Sequence, residues 1–257
     1  MAEYVFNPSD KRSVNTFVGK VYGYMFFGLL LTAIIAFGLG IIFNLWIFGT
    51  MNTATIDYSD VNTNINASGV SVLLATLIIS GIGLLIVSLI VTFTALRGKH
   101  SVAVPALIYS ILMGTMLSSL VVFIPWEILG ITFAITAGIF GIMYLIATLT
   151  KGSLSFLGIL GLGLFLGAMF LSLIGVILML TGALGDYMYL YWIISLMTFA
   201  AILFITIYDM WRIKVIAQNG EGNNNLAMYC AFILYVDFIN IFLRVLRIVL
   251  YLYSRKR

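Results

Sequence analysis

The chain has nine Asp and Glu residues in 257, and of these Asp209 and Asp237 interrupt long apolar runs. Asp209 stands in Ile207-Tyr208-Asp209-Met210 and Asp237 in Leu234-Tyr235-Val236-Asp237-Phe238. An ionisable group inside an apolar segment is costly, so each is a functional candidate unless a partner explains it. Two carboxylates in one desolvated interior do not readily ionise together, and they titrate as a unit. Protonated, they share a hydrogen bond that holds two helices together. Deprotonated, they repel unless an arginine or a cation neutralises them. Calcium prefers carboxylate, amide carbonyl and water oxygens, and Asp209, Asp237 and nearby Asn240 could supply some of these.

At 100° per residue, Cys230, Asp237, Asn240, Arg244, Arg247 and Tyr251 fall on one stripe of the last apolar run. A lipid-facing helix would not carry that stripe, so the last helix is expected inside a bundle, at its centre. An internal salt bridge from Asp237 to Arg244 is the structural alternative. Counting from the expected helix ends, the two aspartates differ in depth by roughly 7–8 Å at 1.5 Å per residue. Tilt and side-chain reach can close that gap.

The elements that must position these residues are membrane spans. The hydrophobic fraction is 63% and charged residues make up 9%, with mean hydropathy +1.16. A soluble domain carries about 25% charged residues, and so few charges cannot cover a water-facing surface. Seven apolar runs are legible, at roughly 22–48, 71–95, 102–124, 128–149, 154–181, 188–211 and 226–250, each long enough to span a bilayer. The short alternating segments of a barrel are absent. The expected fold is an all-α membrane protein of about seven transmembrane helices with the last helix central. A tail over 1–20 precedes a membrane domain over 21–250, and a short basic tail, 251–257, follows. No removable signal peptide is visible in the polar segment before the first run. Pro125, Trp126 and Glu127 suit a break between helices at an interface. Gly163 with Gly167, Ala134 with Gly138 and Ala137 with Gly141 are small-residue pairs suited to helix packing. The single Cys (Cys230) and single His (His100) exclude an intrachain disulfide and a His/Cys metal cluster. Cys230 reads as an inert buried thiol and His100 as a solvated loop residue. Asn66-Ala67-Ser68 matches a glycosylation sequon, a pattern that chance also produces.

Eight of the thirteen basic residues (Lys11, Arg12, Lys20, Arg97, Lys99, Lys151, Arg212, Lys214) fall on one side of this topology. The loops at 49–68, 125–127 and 182–187 hold none, and they carry Asp57, Asp60, Glu127 and Asp186. The positive-inside rule then places the N-terminus in the cytoplasm of a multi-pass plasma-membrane protein. Seven full spans put Arg255, Lys256 and Arg257 outside, against the rule, so either the last segment re-enters or the earlier loops dominate. Dispersed basic residues do not point to nucleic acid.

The run Leu234-Tyr235-Val236-Asp237-Phe238-Ile239-Asn240-Ile241-Phe242-Leu243, with Arg244 to Ile248 following, resembles the last-helix signature of the Bax inhibitor-1 family. Tyr208-Asp209 is a second match and Phe17-Val18-Gly19-Lys20-Val21-Tyr22 a third. The resemblance covers about residues 15–250. It implies a seven-helix bundle with a central last helix, and a proton-sensitive calcium leak in which Asp209 and Asp237 form the sensor. In bacterial relatives an arginine near the end of the second span locks to that pair, and Arg97 is the matching residue. The chain has Leu96-Arg97-Gly98-Lys99 where a denser basic run is expected. No enzymatic activity or cofactor is expected. Tyr208-Asp209, Gly185-Asp186 and Pro105-Ala106-Leu107 occur in the wrong order for an intramembrane aspartyl protease, and the last span holds no Lys for retinal. The rival reading is a non-conducting regulator whose partner is a membrane protease or another membrane protein.

Overall fold

The computed structural model describes residues 11–48, 67–97, 101–180, 187–219 and 223–255. Among the described residues the regular elements are seven α-helices: α1 (Lys11–Phe48), α2 (Ala67–Arg97), α3 (Ala103–Phe123), α4 (Trp126–Leu149), α5 (Ser155–Leu180), α6 (Tyr187–Gln218) and α7 (Asn224–Ser254). All seven are long and apolar enough to cross a membrane. The end of the bundle that carries Lys20, Lys151, Arg212 and Lys214 is termed the basic end, and the opposite one the far end.

Two helices outrun their apolar segments. α1 starts at Lys11, inside the polar tail, because Val14, Phe17, Val18 and Val21 recur at helical spacing. Phe17 and Val21 are buried in the core, and Val14 and Val18 pack against it. α6 runs on to Gln218 because Ile213 and Ala217 are buried. Its Lys214 Nζ donates to Thr148 O at 2.7 Å and Thr150 O at 3.3 Å, satisfying carbonyls at the end of α4 that have no partner within the helix.

α7 is the hub. It packs against α1, α2, α3, α4 and α6, while α5 lies along α6. Leu234, Tyr235, Phe238, Ile239 and Ile241 are buried on several sides of it. Phe238 meets the rings of Phe133 and Phe140 of α4 at 5.5 and 5.4 Å, and Tyr235 stands edge-on to Tyr109 of α3 at 6.0 Å. The Asn223 side chain caps its start by accepting from Leu226 N at 2.7 Å. An unbroken helix of 31 residues is about 46 Å long, more than a hydrocarbon core of about 30 Å. The last segment therefore does not re-enter, and Arg255 emerges at the far end.

The close helix contacts are made by other glycines than the small-residue pairs expected. A Cβ on Gly138, Gly141 or Gly163 would meet nothing within 4 Å, and one on Gly167 only the Met197 methyl at 3.5 Å. By contrast, a Cβ on Gly114 of α3 would stand 2.8 Å from Ile35 Cβ and 2.9 Å from Thr32 O of α1. One on Gly158 of α5 would stand 2.8 Å from the Tyr208 ring of α6. Backbones there touch because no side chain intervenes. Gly114→Val should cost about 1–3 kcal/mol by overpacking and lower the melting temperature of the purified protein in detergent. Gly138→Ala, with room for its Cβ, should leave stability unchanged or raise it by up to about 1 kcal/mol. Equal melting of the two variants would contradict the α1–α3 approach.

Candidate functional site between α6 and α7

Thr206, Asp209 and Arg212 are spaced three apart on α6 and so share a face. Cys230 and Asp237, seven apart on α7, share another, and the two faces meet antiparallel. Thr206 and Asp209 both face Asp237 and act on its carboxyl group. Closer to the basic end, Asp209 and Arg212 both act on Cys230, and Arg212 acts on Asp209. Asp209 lies three residues, about 4.5 Å, from Thr206 toward the basic end.

Asp237 Oδ2 is buried and has no hydrogen-bond partner. Thr206 is fully buried, and its Oγ1 donates to Ile202 O at 2.8 Å. A hydroxyl has one hydrogen to give, and here Ile202 O takes it. An ionised Asp237 requires Thr206 to release Ile202. An unpartnered buried carboxylate carries a heavy desolvation cost.

The opposite side of α7 is pinned. Tyr235 precedes Asp237 by two residues, about 200° around the helix. Its hydroxyl lies 2.7 Å from Thr32 Oγ1, which also lies 2.9 Å from Gly28 O and 3.1 Å from Ser110 O. These uncharged contacts tie α7 to α1 and α3.

The expected polar stripe divides. Cys230 is buried, Asp237 and Arg244 are half-buried, and Asn240, Arg247 and Tyr251 are exposed. The Asp237–Arg244 salt bridge does not form. Seven residues separate the two along the axis by about 10.5 Å, and Arg244 Nη1 instead donates to Ser195 O at 3.2 Å. Arg247 Nη1 donates to Tyr191 OH at 3.0 Å. Among the described residues no group of three or more His, Cys, Asp or Glu converges, so a calcium ion here would find two carboxylates and depend on water for its other ligands. Arg97 closes α2. Its side chain lies outside the described residues, as do Asn66, Lys99, His100, Asp186, Lys256 and Arg257. Sequence reasoning missed Thr206, the role of Arg212 beside Asp209, and the Tyr235–Thr32–Ser110 contacts. The three-residue spacing from Asp209 to Arg212 was a usable signal. A threonine in an apolar helix gives none, because its hydroxyl ordinarily bonds its own backbone.

Comparison with known proteins agrees with this architecture. The protein-family profile described as Inhibitor of apoptosis-promoting Bax1 matches residues 14–255. The chain is 30% identical over 252 residues to the inner membrane protein YbhL of Escherichia coli strain K12, covering 93% of this chain and 92% of that protein. It is 28% identical over 238 residues to an uncharacterized protein of Borreliella burgdorferi, covering 91% and 90% of the two chains. No solved structure matches it. The profile spans the bundle from the first helix to the last and the bacterial relatives match along nearly their full length, so this multi-pass membrane protein belongs to the Bax inhibitor-1 family.

Proposed function

We propose that the protein is a pH-sensitive calcium leak of the cell membrane, gated by Asp209 and Asp237, with its N-terminus in the cytoplasm. The observation that carries this reading is the buried, unpartnered Oδ2 of Asp237, within the field of a second carboxylate. Protonated, Asp237 can donate to Thr206 and keep α7 against α6. Loss of the proton adds a negative charge beside the central helix. That charge repels Asp209, calls Thr206 away from Ile202, and attracts a divalent cation. The two carboxylates form a weak calcium site, compatible with passage rather than storage. The orientation rests on the Lys and Arg asymmetry of the loops.

Dye-reported calcium entry into proteoliposomes tests the reading. Wild-type flux should rise as the pair loses its shared proton, across about pH 5 to 8. Asp237→Asn keeps shape and a hydrogen bond but removes the titration, so its pH profile should be flat. Asp209→Asn should flatten it as well, because the proton belongs to the pair. No wild-type flux above empty vesicles at any pH would sink the leak and leave a regulator that binds a membrane protease or another membrane protein. Unchanged profiles in both variants would make the aspartates structural.

Arg97 extends the proposal as a lock on Asp209 in the closed state. A partly exposed ion pair is worth about 0.2–1 kcal/mol, so Arg97→Ala should raise flux about 1.4- to 5-fold. Unchanged flux through a folded variant would reduce Arg97 to a determinant of topology.

A further inference from the structure

The far half of α7 carries a second set of charges that the aspartate pair does not use. Arg244, Arg247, Tyr251 and Arg255 lie within about 80° of one another around the helix axis at 100° per residue. The face they form looks toward the start of α6. Arg244 Nη1 donates to Ser195 O at 3.2 Å and lies 3.5 Å from Ser195 Oγ. Arg247 Nη1 donates to Tyr191 OH at 3.0 Å, with its guanidinium carbon 6.0 Å from that ring's centre. Arg255 stands 5.9 Å from the centre of the Tyr251 ring, and Tyr251 packs edge-on to Trp192 at 4.8 Å.

Among the described residues this face has no counter-charge. Arg244 and Arg247 are close enough for each to act on the other, and like charges one turn apart are unfavourable. The carboxylates among the described residues are Glu127, Asp209 and Asp237, and none forms an ion pair with either arginine. Each guanidinium has five N–H donors, and the hydrogen bonds recorded for each come from Nη1 alone. Depth limits which anion can reach them. At the basic end, Lys20 Nζ donates to Asn224 Oδ1 at 3.0 Å. Arg244 comes twenty residues after Asn224, about 30 Å along the helix, which equals the thickness of a hydrocarbon core. The face therefore begins at the headgroup level of the far leaflet, among the aromatic residues that favour that level. Arginine forks match phosphate oxygens in geometry as well as charge.

We propose that Arg244 and Arg247, with the Tyr191 hydroxyl, form a binding site for the phosphodiester of an anionic phospholipid in the far leaflet. The lipid would neutralise the two arginines and seat its headgroup over them, where α7 faces the start of α6. This assignment does not depend on calcium conduction.

Native mass spectrometry of the purified full chain in detergent tests it, with phosphatidylglycerol and phosphatidylcholine of the same acyl chains added in turn. Wild type should retain phosphatidylglycerol in preference. The Arg244→Gln, Arg247→Gln double variant should lose that preference about fivefold or more, as expected for removal of a charged contact worth about a factor of ten. Lys151→Gln, at the basic end, should keep it. If the double variant does not fold, Arg247→Gln alone, at an exposed position, should weaken retention. A third arm adds inorganic phosphate without lipid. Equal retention of both lipids by wild type, unchanged retention by the variants, or uptake of inorganic phosphate with no lipid preference would each overturn the lipid site.

Discussion

Asp237 places a carboxyl group with one unpartnered buried oxygen in the helix against which most of the bundle packs, and the neighbouring structure follows from that constraint. A buried polar group without a partner costs about 1–3 kcal/mol, and more when charged. Taking a lone carboxylate into the interior costs several kcal/mol even after relaxation. Nothing on α7 itself offsets this. Arg244 lies two turns away and bonds to Ser195. On the facing helix, α6, Thr206 gives its hydrogen to Ile202 O, so a proton on the carboxyl group is the compensation that the proposed function invokes.

The two sides of α7 are therefore unequal. Toward α1 and α3 it is held by the Tyr235–Thr32 contact at 2.7 Å and by aromatic packing, neither of which senses pH near neutrality. Toward α6 it presents Asp237, whose buried Oδ2 has no hydrogen-bond partner, within the field of Asp209. A neutral hydrogen bond contributes about 0.5–1.5 kcal/mol net, so no single contact on the pinned side can absorb ionisation of Asp237. The weaker seam is the one between α6 and α7, where a change in charge would first be felt. α5 lies along α6, with Gly158 admitting the Tyr208 ring, so the two helices can respond together.

The helix count and the central position of the last helix were legible because apolar length and the Asp237–Arg247 stripe are strong signals in a sequence with few charges. Helix ends were less so. Lys11–Lys20 looks like a solvated tail until Phe17 and Val21 are seen in the core, and Lys214 extends α6 by capping another helix. Neither tertiary contact has a local signature. The packing glycines were misassigned for a related reason. A membrane helix is apolar all round, so periodicity does not say which face meets a neighbour, and Gly138 and Gly114 look alike. Asp209 and Asp237 stood out by their isolation in apolar runs. Thr206 emerged only once two helices had been set side by side.

The central claim is that Asp209 and Asp237 hold a proton jointly. Infrared difference spectroscopy of the reconstituted protein during a pH jump observes a carboxyl proton directly. The account predicts a protonated-carboxyl band that titrates as a single transition in wild type and is lost or displaced by either Asp209→Asn or Asp237→Asn. A band that responds to only one of the two substitutions, or no titrating band at all, would contradict it.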